Sequence, residues 1–185
     1  MSRKSLDVTI VGCTGFTGRL VAQYFASTVA KRLPSLRWAL AGRDASKLAA
    51  LADSLPSSPS ETIIASLSEG DAERIAGPSR VILSTAGPFA LYGTPLIRAC
   101  IKHGASYTDI NGEIGWHHSM INEYDQAARE AGITLVPSAG FDSIPSDLGA
   151  QWMAERLGGN ASKIRCYASL RGGFSGGTVA SGINS

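Results

Sequence analysis

Cysteine is scarce: three residues in 185, Cys13, Cys100 and Cys166, stand far apart and form no C-x-x-C pair. That argues against a zinc framework and a disulfide scaffold, and it suits a reducing, intracellular and cytoplasmic setting. Charge of one sign is sparse as well. The 17 basic and 15 acidic side chains leave a net charge of +2, and no stretch gathers five or more like charges, so no nucleic-acid partner is expected. No apolar run reaches the length of a membrane span. The opening segment, MSRKSLDV, is basic but meets Asp7 before the apolar region of a secretory signal can form. His117 and His118 follow Glu113 at a spacing that invites a metal ion, yet no third ligand stands at a convincing spacing, and no metal is expected.

What is there is glycine in one particular order. Residues Asp7 to Gly18 read DVTIVGCTGFTG: an apolar strand, then Gly12-x-x-Gly15-x-x-Gly18, then an amphipathic stretch from Arg19. Glycine suits each position for a different reason. Gly12 lets the chain leave the strand sharply, Gly15 removes a Cβ where a pyrophosphate must approach, and Gly18 lets helix and strand pack closely. The bare amides and positive dipole end of the helix then bind phosphate. Read blandly, the same stretch is a glycine-rich loop with Thr14 capping a helix. Cys13, inside the turn, is either a thiol activated by the helix N-terminus or a small space-filler.

The second strand ends in Gly42-Arg43-Asp44. A dinucleotide site reads the adenosine ribose here. An acidic side chain would bond a free 2′-hydroxyl, whereas Arg43 would attract a 2′-phosphate, with Lys47 one helical turn further as a second cation and Asp44 as a helix N-cap. The expected cofactor is therefore NADP(H), with NAD(H) the weaker alternative. The expected cofactor-binding set is Gly12, Thr14, Gly15, Phe16, Thr17, Gly18, Arg43 and Lys47, joined by Thr85, Ala86, Gly87 and Pro88, which follow the fourth strand where small residues leave room for a ligand.

Taken in order, the pattern predicts a helix over Gly15–Ala30 with Leu20, Val21, Tyr24 and Phe25 in the core. Strands follow at 37–41, 62–65, 80–85, 106–110 and 133–137, and helices at 45–55, 68–76, 95–103 and 116–131. Thr94 is expected to cap the helix that begins with Pro95. A helix opening at Ser143-Ile144-Pro145 runs to Leu157, Ile164–Leu170 is a seventh strand candidate, and the glycine-rich 172–178 leads toward another helix. Strands alternating with helices imply a doubly wound, mostly parallel α/β sheet of the Rossmann type. Residues 1–150 then form the dinucleotide-binding domain, and 151–185 begin a second, truncated α/β domain.

Hydride chemistry would require a proton donor near the acceptor, and Tyr92, Glu113 and Asp142, all near strand ends, are the candidate catalytic groups. Other nucleotide enzymes lack their signatures here. None of the five tyrosines opens a Tyr-x-x-x-Lys, as a short-chain dehydrogenase would need, and no Gly-Lys-Ser/Thr follows the glycines, as a P-loop would. A non-catalytic NADP(H) sensor or interaction module, or a homodimer formed through bare apolar surface, stands as the alternative.

The stretches VTIVGCTGFTGRL, WALAGRDASKL, VILSTAGPFALYGTPLIRAC, YTDINGE, VPSAGFDSIPSDLG and GGFSGGTVAS, in this order, resemble the saccharopine dehydrogenase-like oxidoreductases, including their trans-acting enoyl reductases. The resemblance implies an NADP-type Rossmann domain followed by a larger substrate domain, hydride transfer to a small or lipid-type substrate, and, in some relatives, association with lipid droplets or membranes. It assigns no catalytic residue in this chain.

Overall fold

A computed structural model describes residues 4–169 together with Arg171 and Gly176. Six strands, β1 (Leu6–Val11), β2 (Trp38–Gly42), β3 (Glu61–Ile64), β4 (Ser79–Ser84), β5 (Ser106–Asp109) and β6 (Leu135–Val136), form one parallel sheet. Its order, β3-β2-β1-β4-β5-β6, reverses direction between β1 and β4, so a crevice opens beyond the carboxyl ends of those two strands. The helices are α1 (Phe16–Tyr24), continued by a π-helical turn (Phe25–Val29) and α2 (Ala30–Arg32), then α3 (Ala45–Ser54), α4 (Glu69–Ala76), α5 (Phe89–His103), α6 (Ile114–Ala131) and α7 (Ile144–Arg156).

Cores pack on both faces of the sheet's centre, which is why β1, β2 and β4 carry near-continuous apolar runs. Successive side chains alternate between two cores. Val11, Ala39 and Ala41 join Ile82, Leu96, Tyr107 and Trp116 on one face; Ile10, Trp38 and Leu40 join Phe25, Leu48 and Leu51 on the other. Lys4 ties the amino end down by donating to the carbonyls of Ala76 and Gly77 at the end of α4.

Four sequence expectations change. The helix after the glycine turn continues to Arg32, and Leu20 and Tyr24 lie on its outer side, 54% and 63% exposed. Phe25 is buried and Val21 packs against the core as expected, and the rest of the inner face is Gly18, Ala22 and Ala26. A helix drawn this close to a strand accepts small side chains along its first inner turns, so the bulky pair Leu20 and Tyr24 falls on the outer face. Second, α5 begins at Phe89, and Pro95 lies inside it. Thr94 is no cap: its hydroxyl accepts from Trp116 Nε1 at 3.0 Å. Third, 164–169 form no strand, for no described strand lies alongside to pair with them, and Ile164 and Tyr167 are exposed. Fourth, each predicted strand from the second to the sixth shifts or shortens at its ends, β6 to two residues. The glycine-rich 172–178 falls, apart from Gly176, outside the described residues. No residue of α7 is buried among the described residues. No described helix is long and apolar enough to cross a membrane.

Candidate functional site

The glycine turn closes as its spacing requires. Gly12 donates to the Ala41 carbonyl at 3.0 Å and adopts φ +76°, and a Cβ on it would stand 2.8 Å from Cβ of Ala86. Only glycine meets both conditions. A Cβ on Gly18 would collide with the Gly12 carbonyl and stand 2.7 Å from Thr85 Oγ1. Thr85 locks the neighbouring strand end, its amide and hydroxyl each donating to the Val11 carbonyl at 2.9 Å.

Gly15 is the N-cap of α1, no side chain caps the helix, and its first turn holds no acidic residue. The Thr14 capping reading is thereby excluded. The helix presents amides with no internal partner at the mouth of the crevice, and an anion fits there. Thr14 and Thr17 are half-buried beside it, and Phe16 is 68% exposed. The bare amides of this first turn fit a dinucleotide diphosphate.

Cys13 supplies packing. It is fully buried with Sγ 3.5 Å from the Ala41 carbonyl, and burial pushes its thiol up to about 11. The activated-thiol reading is overturned, because desolvation outweighs any favourable field from the helix end. Cys100, inside α5, is likewise pushed up by burial, to about 12.

Arg43 follows β2, exposed and with no ion pair among the described residues. Asp44 caps α3, accepting from the Lys47 amide at 3.0 Å and the Ser46 hydroxyl at 2.7 Å. The Lys47 amide first, then Ser46, hold its carboxyl down at about 2. Lys47 Nζ lies 3.4 Å from the same carboxylate, so of the two predicted cations Arg43 is the uncommitted one.

Thr85, Ala86, Gly87 and Pro88 run from the end of β4 into α5, partly exposed along the crevice. Of the candidate proton donors, Tyr92 is half-exposed on α5, and Asp142 is exposed in the turn before α7. The Asp142 carboxylate oxygens lie 2.8 Å and 3.4 Å from the positions a Cβ would take on Gly140 and Gly112. Glu113 is 1% exposed; its two oxygens accept from the amides of Phe89 at 2.8 Å and Ala90 at 2.7 Å. No hydrogen bond joins Tyr92 to either carboxylate among the described residues.

Sequence reading missed the neighbours of Glu113. Asp109, fully buried at the tip of β5, accepts from Tyr107 Oη at 2.8 Å, from the amide and side chain of Asn111 at 3.0 Å each, and from the Ser138 amide at 2.8 Å. Burial, then the Asp109 charge, drives the Tyr107 phenol well above its ordinary value. Ser138, just past β6, takes the left-handed φ of 59°, and its hydroxyl lies 3.0 Å from His117 Nδ1. The available signal was polar residues at 107, 109, 111 and 113, every second position through and beyond a central strand. The described residues contain no cluster of His, Cys, Asp or Glu able to hold a metal ion.

Comparison with known proteins agrees with this geometry. Residues 8–136 match the saccharopine dehydrogenase NADP binding domain. The chain is 36% identical to a putative trans-acting enoyl reductase of Mycobacterium tuberculosis, over 96% of this chain and 43% of the relative. It is 32% identical to the human saccharopine dehydrogenase-like oxidoreductase, over 97% and 44%, and 32% identical to a lipid droplet localized protein of Caenorhabditis elegans, over 92% and 41%. It thus spans less than half the length of these relatives. Among solved structures, the apo saccharopine dehydrogenase (L-Glu forming) of Saccharomyces cerevisiae superposes with TM-score 0.66 at 17% identity, covering 83% of this chain and 31% of that one, a likeness of fold.

Proposed function

Because the chain belongs to the saccharopine dehydrogenase NADP binding domain family, we propose that it is the cofactor-holding part of an NADP(H)-dependent oxidoreductase that moves a hydride to or from a small or lipid-type substrate. The observation that carries this reading is the uncapped N-terminus of α1 over the Gly12–Gly18 turn. The diphosphate would sit on its amides, the adenosine 2′-phosphate beside Arg43, and the nicotinamide half along Thr85–Pro88, where the sheet changes direction. When bound, the nicotinamide supplies the hydride chemistry. The chain's own residues bind and orient it, and of the three candidate proton donors Tyr92 and Asp142 remain open to solvent and to a substrate.

Residues 1–150 would be the dinucleotide domain and 151–185 the entry to a substrate domain, in keeping with relatives more than twice as long. A lipid-type acceptor, and residence at a lipid droplet surface, draw support from the name of the nematode relative. No described feature favours a purely sensory role.

The test is a fluorescence titration with NADPH and NADH on the wild type and Arg43→Ala. The variant is expected to weaken NADPH by about 10- to 100-fold, the worth of a lost charge-assisted hydrogen bond, and to leave NADH nearly unchanged. Equal effects on both coenzymes would exclude Arg43 as the phosphate reader, and absence of NADPH binding by the wild type would remove the whole reading.

A further inference from the structure

Two helices begin near the crevice, and they are treated oppositely. The first turn of α1 is left bare, whereas α5 receives a buried carboxylate from a residue 24 positions downstream of Phe89. Both oxygens of Glu113 accept from amides, at 2.8 Å from Phe89 and 2.7 Å from Ala90, so the carboxylate is engaged as an acceptor on both sides. A buried charge is costly unless fully bonded. Here it is matched by two amides and by the positive end of a 15-residue helix.

Glu113 is also fixed from behind. Its amide donates to Asn111 Oδ1 at 2.8 Å, Asn111 Nδ2 donates to Asp109 Oδ1 at 3.0 Å, and that oxygen accepts the Ser138 amide at 2.8 Å. Asp109, Asn111 and Glu113 are each at most 1% exposed. They form a continuous buried relay from the segment after β6 to the segment after β4. The first turn of α5 follows directly on Pro88, so whatever fixes Phe89 and Ala90 fixes the end of Thr85–Pro88.

We propose that Glu113 is a positioning residue, its buried carboxylate setting the first turn of α5 and through it the Thr85–Pro88 segment that receives the nicotinamide half of the coenzyme, with Asn111 and Asp109 aligning the Ser138 segment to the same frame. The inference rests on the cofactor placement proposed above. It moves Glu113 from the candidate proton donors to the scaffold that shapes their site, and it makes affinity for the two ends of the coenzyme separable.

The test compares NADPH with adenosine 2′,5′-bisphosphate, which carries only the phosphorylated adenosine end, on the full chain and on Glu113→Gln. Glutamine preserves volume but turns an amino group toward one of the two amides. NADPH is expected to weaken by about tenfold or more, the scale of a hydrogen bond lost to a charged group, while the bisphosphate stays within about twofold. Glu113→Asp, which keeps the charge on a shorter arm, is expected to recover part of the loss. Parallel weakening of both ligands, or no change in either, would overturn the inference while leaving the cofactor reading intact; a wild type that binds neither ligand would remove that reading itself. Should Glu113→Gln fail to fold, Asn111→Ala, which leaves the carboxylate in place and removes its support, is read by the same ratio.

Discussion

Trp116 lies across Gly93: the indole Cζ2 stands 2.6 Å from the position a Cβ on that glycine would occupy. The indole is held there by its bond to Thr94 and by the Phe89 ring, centroids 5.9 Å apart. This contact seats α6 on α5, and a single added methyl group must displace one of them. Gly93→Ala is expected to lose about 1–3 kcal/mol, the usual range for overpacking, offset slightly by better helix propensity. Urea denaturation followed by tryptophan emission measures it, and an unchanged midpoint would show that α6 yields freely.

Gly18 sets a harder constraint, since both the Gly12 carbonyl and Thr85 Oγ1 occupy the space of its missing side chain. Gly18→Ala should therefore reduce stability and coenzyme affinity together, because the same displacement opens the phosphate turn. Thermal unfolding with and without NADPH separates the two effects. A variant with wild-type melting that retains its NADPH-induced shift would contradict this account.

The two sides of the helix that α1 and its π-helical continuation form should respond very differently to truncation. Leu20, more than half exposed, is expected to tolerate serine within about 0.5 kcal/mol. Phe25, 7% exposed with its ring centroid 5.1 Å from that of Trp38 in a tilted contact, is expected to cost about 3–5 kcal/mol as alanine. Comparable losses in equilibrium unfolding would mean that something covers Leu20 in solution.

Thiol chemistry follows burial. Cys166 is exposed while Cys13 and Cys100 are fully buried, so Ellman's reagent should titrate one thiol in the native 185-residue chain and three in denaturant. The two buried thiols also make stability fall at alkaline pH. Their folded-state values, about 11 and about 12, lie above the ordinary value of 9.0. Their contribution is complete below pH 9, where both states keep the proton, and is lost as pH rises toward 11 and 12, because the unfolded thiolates form first. Cys100→Ala should flatten that fall in a series of melting temperatures. Undiminished alkaline loss would assign it to other groups.

Much of the sheet was legible because its central strands β1, β2 and β4 are largely buried and leave apolar runs in the sequence. The glycine turn was legible because three different steric demands fall at fixed spacing. The beginning of α5 was not. Local propensity favoured Thr94-Pro95 as the start, and the decisive cap comes from Glu113, a contact that exists only after β4 and β5 are side by side. The same holds for Asp109 and Asn111, whose polar character looked like that of a loop until Tyr107, Ser138 and Glu113 closed around them. Leu20 and Tyr24 failed for the opposite reason, since their period was right and only their direction was wrong. Arg43 was read from position alone, and the structure adds that its neighbour Asp44 is already engaged as a cap.

The seventh helix, whose described residues include none that is buried, gains little from the interior that locks the strands. Its amides should therefore trade hydrogen for deuterium orders of magnitude sooner than those of β1 and β4, since local opening needs only one helix to fray while theirs awaits global unfolding. The molecule would run on two clocks, a slow one in the sheet and a fast one where the chain leaves it.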